Sequence, residues 1–232
     1  MDVVNPSNPL VINPIAARKF YRLRSTGVQG ALPADENTLA LYHFDEPSGD
    51  ALDASGNGWT GYPQNGASRT NSAPGLGRAL LLDGVDDYVS IAPQLLNDLA
   101  QGSVEANLWV ESFIPNVASP IIAKGDVTLT QFLLGISSNS IVVAGAFGLD
   151  GLTAPASIPL RRWTKVAVTW DGSVRKLYVN DLLVGQDASP FFPPNDDGNP
   201  VKIGRHDHIG GPFYFHGRIE DVRISGIARS FP

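Results

Sequence analysis

The sequence predicts an all-β chain built as an antiparallel two-sheet sandwich or jelly roll. Three observations predict it. Apolar residues alternate with polar ones: in Trp163–Trp170, Val166, Val168 and Trp170 share one face, and Trp163, Lys165, Ala167 and Thr169 share the other. Period-two alternation marks a strand with one buried face. Turn signals such as Asp171-Gly172 and Asn180-Asp181 punctuate the chain about every ten residues, the spacing of a sandwich. No long amphipathic helix interrupts the pattern, which speaks against a βαβ architecture.

The elements follow in order. Residues 1–37 carry four prolines and a basic-aromatic knot, Arg18 to Arg24. The prolines forbid a long helix. This stretch reads as an extended arm, or as the remnant of a preceding β-domain and linker. Residues 38–232 form the β-sandwich domain. Leu39–Phe44 is its first strand, followed by two loops dense in turn formers, 45–50 and 53–58. Arg78–Leu82 and Tyr88–Ile91 are short strands, and Leu95–Gln101 has room for one helical turn. Ser103–Glu111, Pro120–Ala123, Thr130–Ile136 and Ser140–Phe147 read as strands. A meander over Trp163–Val184 follows, with Asp171-Gly172 supplying left-handed dihedrals for a tight hairpin. Lys202–Gly204 and Tyr214–Ile224 complete the set.

Composition narrows the function. Of 232 residues, 17% are charged and 43% hydrophobic, enough apolar content for a sizeable core and unlike a solvated tail. The net charge is −6 and no basic stripe is visible, so nucleic acid is not an expected partner. The absence of cysteine excludes a disulfide framework, a thiolate metal site and a cysteine nucleophile. No apolar run approaches the roughly 18 residues that span a bilayer, so no membrane insertion is expected. The start of the chain lacks a basic and apolar leader. We therefore expect a mature or excised piece of an exported protein, extracellular or on the cell surface.

Six pieces carry a resemblance: LALYHFDEPSGDALDASGNG, GRALLLDGVDDYVSI, SVEANLWVES, RRWTKVAVTWDGSVRKLYVNDLLVG, VKIGR and FHGRIEDVRISGIARS. In this order they resemble the bacterial type of laminin G-like domain in the concanavalin A-like lectin and glucanase superfamily. The resemblance implies two antiparallel sheets in a jelly roll, one of them concave. It leaves open lectins, glycan-binding modules, adhesion modules and glucanases, because fold alone does not fix function.

Three kinds of site were weighed. For catalysis, the superfamily's glucanases place Glu-x-Asp-x-x-Glu or Glu-x-Asp-x-Glu on one strand. Here the nearest match, Glu105 to Glu111, has Asn107 in the middle and spreads its glutamates over roughly 20 Å of strand, too far for a retaining pair. No enzyme is expected. For metal, the resemblance implies a structural calcium tying the loop after the first strand to an acidic residue on the last. Asp45, Asp53, Glu220 and Asp221 are the candidates, with register leaving Glu220 or Asp221 undecided, and an Asx turn as the plain alternative for Asp53. Asp83, Asp86 and Asp87 read as a hairpin loop. For a ligand, exposed rings stack on sugars while neighbouring amides and carboxylates take hydroxyls. Trp109, with Asn107 and Glu105, is the expected platform. Trp59 and Tyr62 would rim a site, and Phe213 and Tyr214 are also available. Trp163 and Trp170 are expected in the core, and His206 and His208 in a solvated loop. The expected function is a non-catalytic recognition or adhesion module for a glycan or surface protein. A structural subunit self-assembling through residues 1–24 is the alternative, and a glycoside hydrolase the third.

Overall fold

A computed structural model describes residues 31–72, 77–115, 117–128, 130–144, 151–156, 158–188 and 198–231, with side chains from 141 to 144 excluded. The basic-aromatic knot and the proposed oligomerising arm, residues 1–24, lie outside the described residues.

The first strands are β1 (Thr38–Tyr42), β2 (Tyr62–Gln64), β3 (Ser68–Asn71), β4 (Arg78–Asp83), β5 (Tyr88–Ile91) and β6 (Gly102–Ser112). Next come β7 (Ser119–Gly125), β8 (Thr130–Ile136), β9 (Ser140–Ala144), β10 (Leu152–Pro155), β11 (Thr164–Trp170) and β12 (Arg175–Val179). The last are β13 (Leu182–Asp187), β14 (Val201–Ile203), β15 (Arg205–His206), β16 (Phe213–Tyr214) and β17 (His216–Ser225). One sheet runs β13-β12-β11-β6-β17-β4-β3, with β1 also paired to β17. The other runs β10-β9-β8-β7-β14-β5-β2, and β15-β16 form a small separate ladder. Every ladder is antiparallel. The expected all-β sandwich is what forms. No helix among the described residues is long and apolar enough to cross a membrane.

The core lies between the two large sheets and follows the alternation. β6 contributes Val104, Ala106, Leu108 and Val110; β11 contributes Val166, Val168 and Trp170; β17 contributes Ile219, Val222 and Ile224. Phe132, Leu134, Val201 and Ile203 face them from the other sheet. The Trp170 indole donates to Leu99 O at 2.8 Å and packs on Phe132 at 5.9 Å. Gly102, opposite it in the ladder, leaves it room: a Cβ there would lie 2.4 Å from the ring.

Several elements depart from expectation. The helical turn forms earlier, as a 3-10 turn at Pro93–Leu96. At the β11–β12 turn only Gly172 is left-handed; Asp171 instead accepts from Ser173 N and Val174 N. The two-residue left-handed turn is the next one, with φ of 49° at Asn180 and 63° at Asp181, matching the twist of a tight hairpin. Strands β2, β3 and β10 were not expected, since YPQ, SRTN and LTAP carry no clear apolar alternation.

Replacing Trp170 with alanine removes a buried ring from both sheets at once. Urea unfolding of Trp170→Ala should show a loss of about 3–5 kcal/mol. Leu182→Ala, at an exposed edge position, should stay within about 0.5 kcal/mol of the parent.

Candidate functional site

The outer face of the eight-stranded sheet carries most of the chain's placed chemistry, and β17 organises it. β17 pairs β4 through Ile219 and β1 from Val222 onward. A bulge between Glu220 and Arg223 separates the two stretches, with Asp221 at φ 52°. A bulge adds one residue and re-aims the side chains around it. Ile219 and Val222 both reach the core, so Glu220 and Asp221 both turn outward. The question of which of them faces the loops has the answer that both do.

One half of this face is closed. Glu105 and Asn107 are 1% and 3% exposed. The Arg223 guanidinium donates to Glu105 Oε1 at 2.8 and 2.6 Å, and Lys165 pairs with Glu105 Oε2 and with Asp181, each at 2.9 Å. The strap before β1 lies over this layer: Leu32 N donates to Asp221 Oδ2, and Pro33 O accepts from Arg223. The C-terminal Phe231 ring packs on Tyr178 at 4.8 Å and under the Lys165 ammonium at 4.6 Å. The open polar face expected around Glu105 and Asn107 is therefore a buried charge layer, and its carboxylate is already spoken for.

The other half is open. Trp109 opposes Arg218, Arg218 opposes Leu81, and Leu81 opposes Ser68 across four adjacent strands. Trp163 directly precedes Thr164, which pairs Leu108, so its ring falls beside Trp109, with centroids 5.9 Å apart and planes tilted by 60°. Both indoles are half-buried. Trp163 thus lies outside the core expected for it: it stands one residue before β11, at the rim of the sheet. Trp109 Nε1 donates to Glu111 Oε1, and Arg161 Nε donates to Glu111 Oε2, both at 2.9 Å. The Arg218 guanidinium lies over the Trp109 ring, 5.3 Å from its centroid.

The acidic candidates fall into separate places. Asp53 is a loop hub. It accepts from Leu41 N, Ser55 N, Ser55 Oγ and Trp59 N, the Asx-type arrangement. Burial opposes its ionisation, but these donors hold its carboxyl below the usual range. Asp45 accepts from Arg78 N at 2.7 Å. Asp221 meets His43 Nδ1 at 2.5 Å, and that bond raises the His43 pKa. Glu220, bonded to Ser72 Oγ at 2.5 Å, is pushed up to about 7 by burial, with Asp221 and Asp45 adding to the rise. Asp45, Glu220 and Asp221 thus share one electrostatic neighbourhood that Asp53 does not join. The three carboxylates of Asp83, Asp86 and Asp87 lie within 4.8 Å of one another. They serve their own loop, Asp83 accepting from Val85 N and Asp86 N.

The remaining aromatics sit elsewhere. Trp59 packs partly against the core, and its carbonyl accepts from Tyr42. Tyr62, 52% exposed, lies on β2 at the edge of the seven-stranded sheet, so it does not join Trp109. Phe213 and Tyr214 form β16, where Arg205 stacks between Tyr88 and Tyr214 at 4.7 and 5.4 Å. His206 is a strand residue, buried at 7% exposure and bonded to Thr130 Oγ1, whereas His208 stays exposed. Burial, aided by His208, lowers the His206 pKa to about 4.

Fold and face together define a lectin-like β-sandwich. The chain belongs to the concanavalin A-like lectin/glucanases superfamily, whose laminin G sequence model matches residues 83–231. Among solved structures it resembles domain 4 of AbnA, a GH43 extracellular arabinanase from Geobacillus stearothermophilus, in complex with arabinotriose. The TM-score is 0.64 at 19% identity, over 84% of this chain and 94% of that one. It also resembles the binding domain of Paraclostridial Mosquitocidal Protein 1 (TM-score 0.65, 11% identity) and botulinum neurotoxin type C (0.61, 12%). Each of these two covers 84% of this chain, which spans about half of theirs, 50% and 49%. A comparison with curated protein sequences gave no match.

The sequence reading had not picked out His43, Arg161 or Arg218. His43, one residue after β1, continues the outward alternation of Leu39 and Leu41 and was visible in principle; the two arginines carry no motif.

A histidine whose folded pKa is depressed binds fewer protons than its unfolded form, so stability is lost as pH falls from about 6.5 toward 4. His206→Gln should remove that loss. In denaturant titrations across this window, the stability of the parent relative to His206→Gln should decline with falling pH; a constant difference would contradict the assignment.

Proposed function

We propose that this chain is a non-catalytic, extracellular glycan-binding module acting in recognition or adhesion, as part of a bacterial surface or secreted protein. The observation that carries this reading is the pair of half-open indoles, Trp109 and Trp163, side by side on the sheet's outer face. Sugar rings present faces of C–H bonds that pack on aromatic faces, while hydroxyls need polar partners around the rim. Glu111, Arg161 and Arg218 supply that rim. The platform stands on or directly beside regular strands, so little ordering is needed on binding, which favours affinity. The likeness to a domain in complex with arabinotriose and to a toxin whose cell entry depends on gangliosides is consistent with this use of the fold.

The same geometry supports the absence of chemistry. Retaining glycosidases need two free carboxylates about 5 Å apart. Glu105 is buried and paired twice, and Glu111 is held by Arg161 and Trp109. Glu220, though raised in pKa, is 1% exposed and tied to Ser72, beyond the reach of a polymer.

A structural calcium remains part of this reading in reduced form. Asp45, Glu220 and Asp221 would have to close up to hold it, since among the described residues only Asp83, Asp86 and Asp87 bring three carboxylates within 4.8 Å of one another, and it would brace the loops after β1 against β17. Its support is the accumulation of like charge around a buried carboxyl, which a cation would offset. His43, bonded to Asp221, already supplies part of that counter-charge.

On a broad glycan array the parent should bind, and Trp109→Ala and Trp163→Ala should each weaken its best ligand about tenfold or more. Silence across the array, at protein concentrations that detect weak lectins, would defeat the reading. Calcium bound only by the folded state must raise the melting temperature, and chelator must lower it. Identical melting curves in the two conditions would remove the ion.

A further inference from the structure

Several cations of the outer face are matched to carboxylates: Arg223 and Lys165 share Glu105, and Arg161 takes Glu111. Arg218 is not among them. It sits in the middle of the open row, between Trp109 and Leu81. Among the described residues no carboxylate lies within ion-pair distance of it, and its Nε is buried without a hydrogen-bond partner. Its one polar contact among the described residues is a long one, Nη1 to Asn71 O at 3.5 Å.

The acidic groups nearby are committed elsewhere. Glu111 is bonded to Trp109 and Arg161, and Arg218 acts on it only through space. Asp83, two residues along β4 from Leu81, turns its carboxylate onto Val85 N and Asp86 N of its own loop. The open row therefore presents a guanidinium with no ion-pair partner among the described residues, lying over an indole, on a chain whose net charge is −6. Its place over the ring restrains the guanidinium, whose terminal nitrogens carry N–H donors for a ligand. A fixed guanidinium fork matches the two oxygens of a carboxylate or sulfate.

We infer that the Trp109–Trp163 platform selects anionic saccharides, with a sugar carboxylate or sulfate seated on Arg218 and the adjoining ring stacked on the indoles. This rests on the glycan-binding reading above and adds the class of sugar. Neutral saccharides of the same length fill the platform but leave the guanidinium without its partner.

The test compares three probes by calorimetry at low salt: a defined-length oligogalacturonate, a heparin oligosaccharide and a neutral galacto-oligosaccharide. The full chain is used with Arg218→Met, Arg218→Lys and Trp109→Ala, each checked for parental melting. One or both acidic probes should bind roughly 10- to 100-fold more tightly than the neutral one, the range of a charge-assisted hydrogen bond. Added salt should narrow the gap. Arg218→Met should abolish the preference while leaving neutral binding in place, Arg218→Lys should restore it in part, and Trp109→Ala should weaken every probe. Preference for oligogalacturonate assigns a carboxylate, and preference for heparin a sulfate. Equal binding of acidic and neutral probes overturns the selectivity and leaves the glycan reading intact. So does a preference that survives Arg218→Met. Failure of all three probes, with silence on the array, overturns both.

Discussion

The bulge at Glu220 and Asp221 is the constraint on which the rest of this molecule turns. β17 lies against β6 on one side along its whole length. On its other side it has two successive partners, β4 and then β1. A strand cannot change partner without a break in its ladder, and the extra residue provides one. It also solves a packing problem: Ile219, Val222 and Ile224 all face the core, which strict alternation from Ile219 would forbid. The result is two adjacent carboxylates on the outer face, beside Asn107 of β6.

Placing those carboxylates outward creates an electrostatic demand that the neighbourhood then meets. Buried charge is costly unless it is paired and hydrogen-bonded. Glu105 has Arg223 and Lys165; Asp221 has His43 and the backbone of Leu32. Glu220 has Ser72, and its raised pKa records how little else it has. Such pairing specifies geometry more than it adds stability: breaking one partner strands the other. The strap at Leu32 and Pro33 is held by this layer and closes over it, so the covered half of the sheet is fixed by polar contacts, while the core beneath is fixed by apolar ones.

What the sequence made legible follows from where its periodicity is clean. SVEANLWVES and WTKVAVTW alternate without fault, and their inner faces form the core. The parity of Glu220 and Asp221 could not be read because the bulge interrupts the count on which parity depends. Trp163 was expected in the core as a large aromatic, yet it keeps the outward parity of Lys165 and Thr169 and so falls beside Trp109. His206 looked like loop because Gly204, Gly210 and Gly211 surround it; the ladder to Phe213 is a pairing no local signal announces. The closing of Glu105 and Asn107 was beyond reach for a further reason. Leu32 and Asp221 are 189 residues apart in sequence, and no pattern in either segment points to the other. Asp53 lay at the opposite extreme, since its partners Ser55 and Trp59 are local and the Asx alternative was visible from the start.

The division of one sheet face into a closed and an open half bears directly on recognition. Both halves are made by the same strands: β6 carries Glu105 and Asn107 into the closed half and Trp109 into the open one, and β17 carries Arg223 and Arg218 likewise. The ladder between β6 and β17 on the near side of the bulge sets Arg218 opposite Trp109. A guanidinium held over an indole by strand pairing needs no ordering when a ligand arrives, whereas the same two residues on a loop would have to lose that freedom on binding. Arg218, half-buried, can stand without an ion-pair partner among the described residues because the fold around it is secured elsewhere.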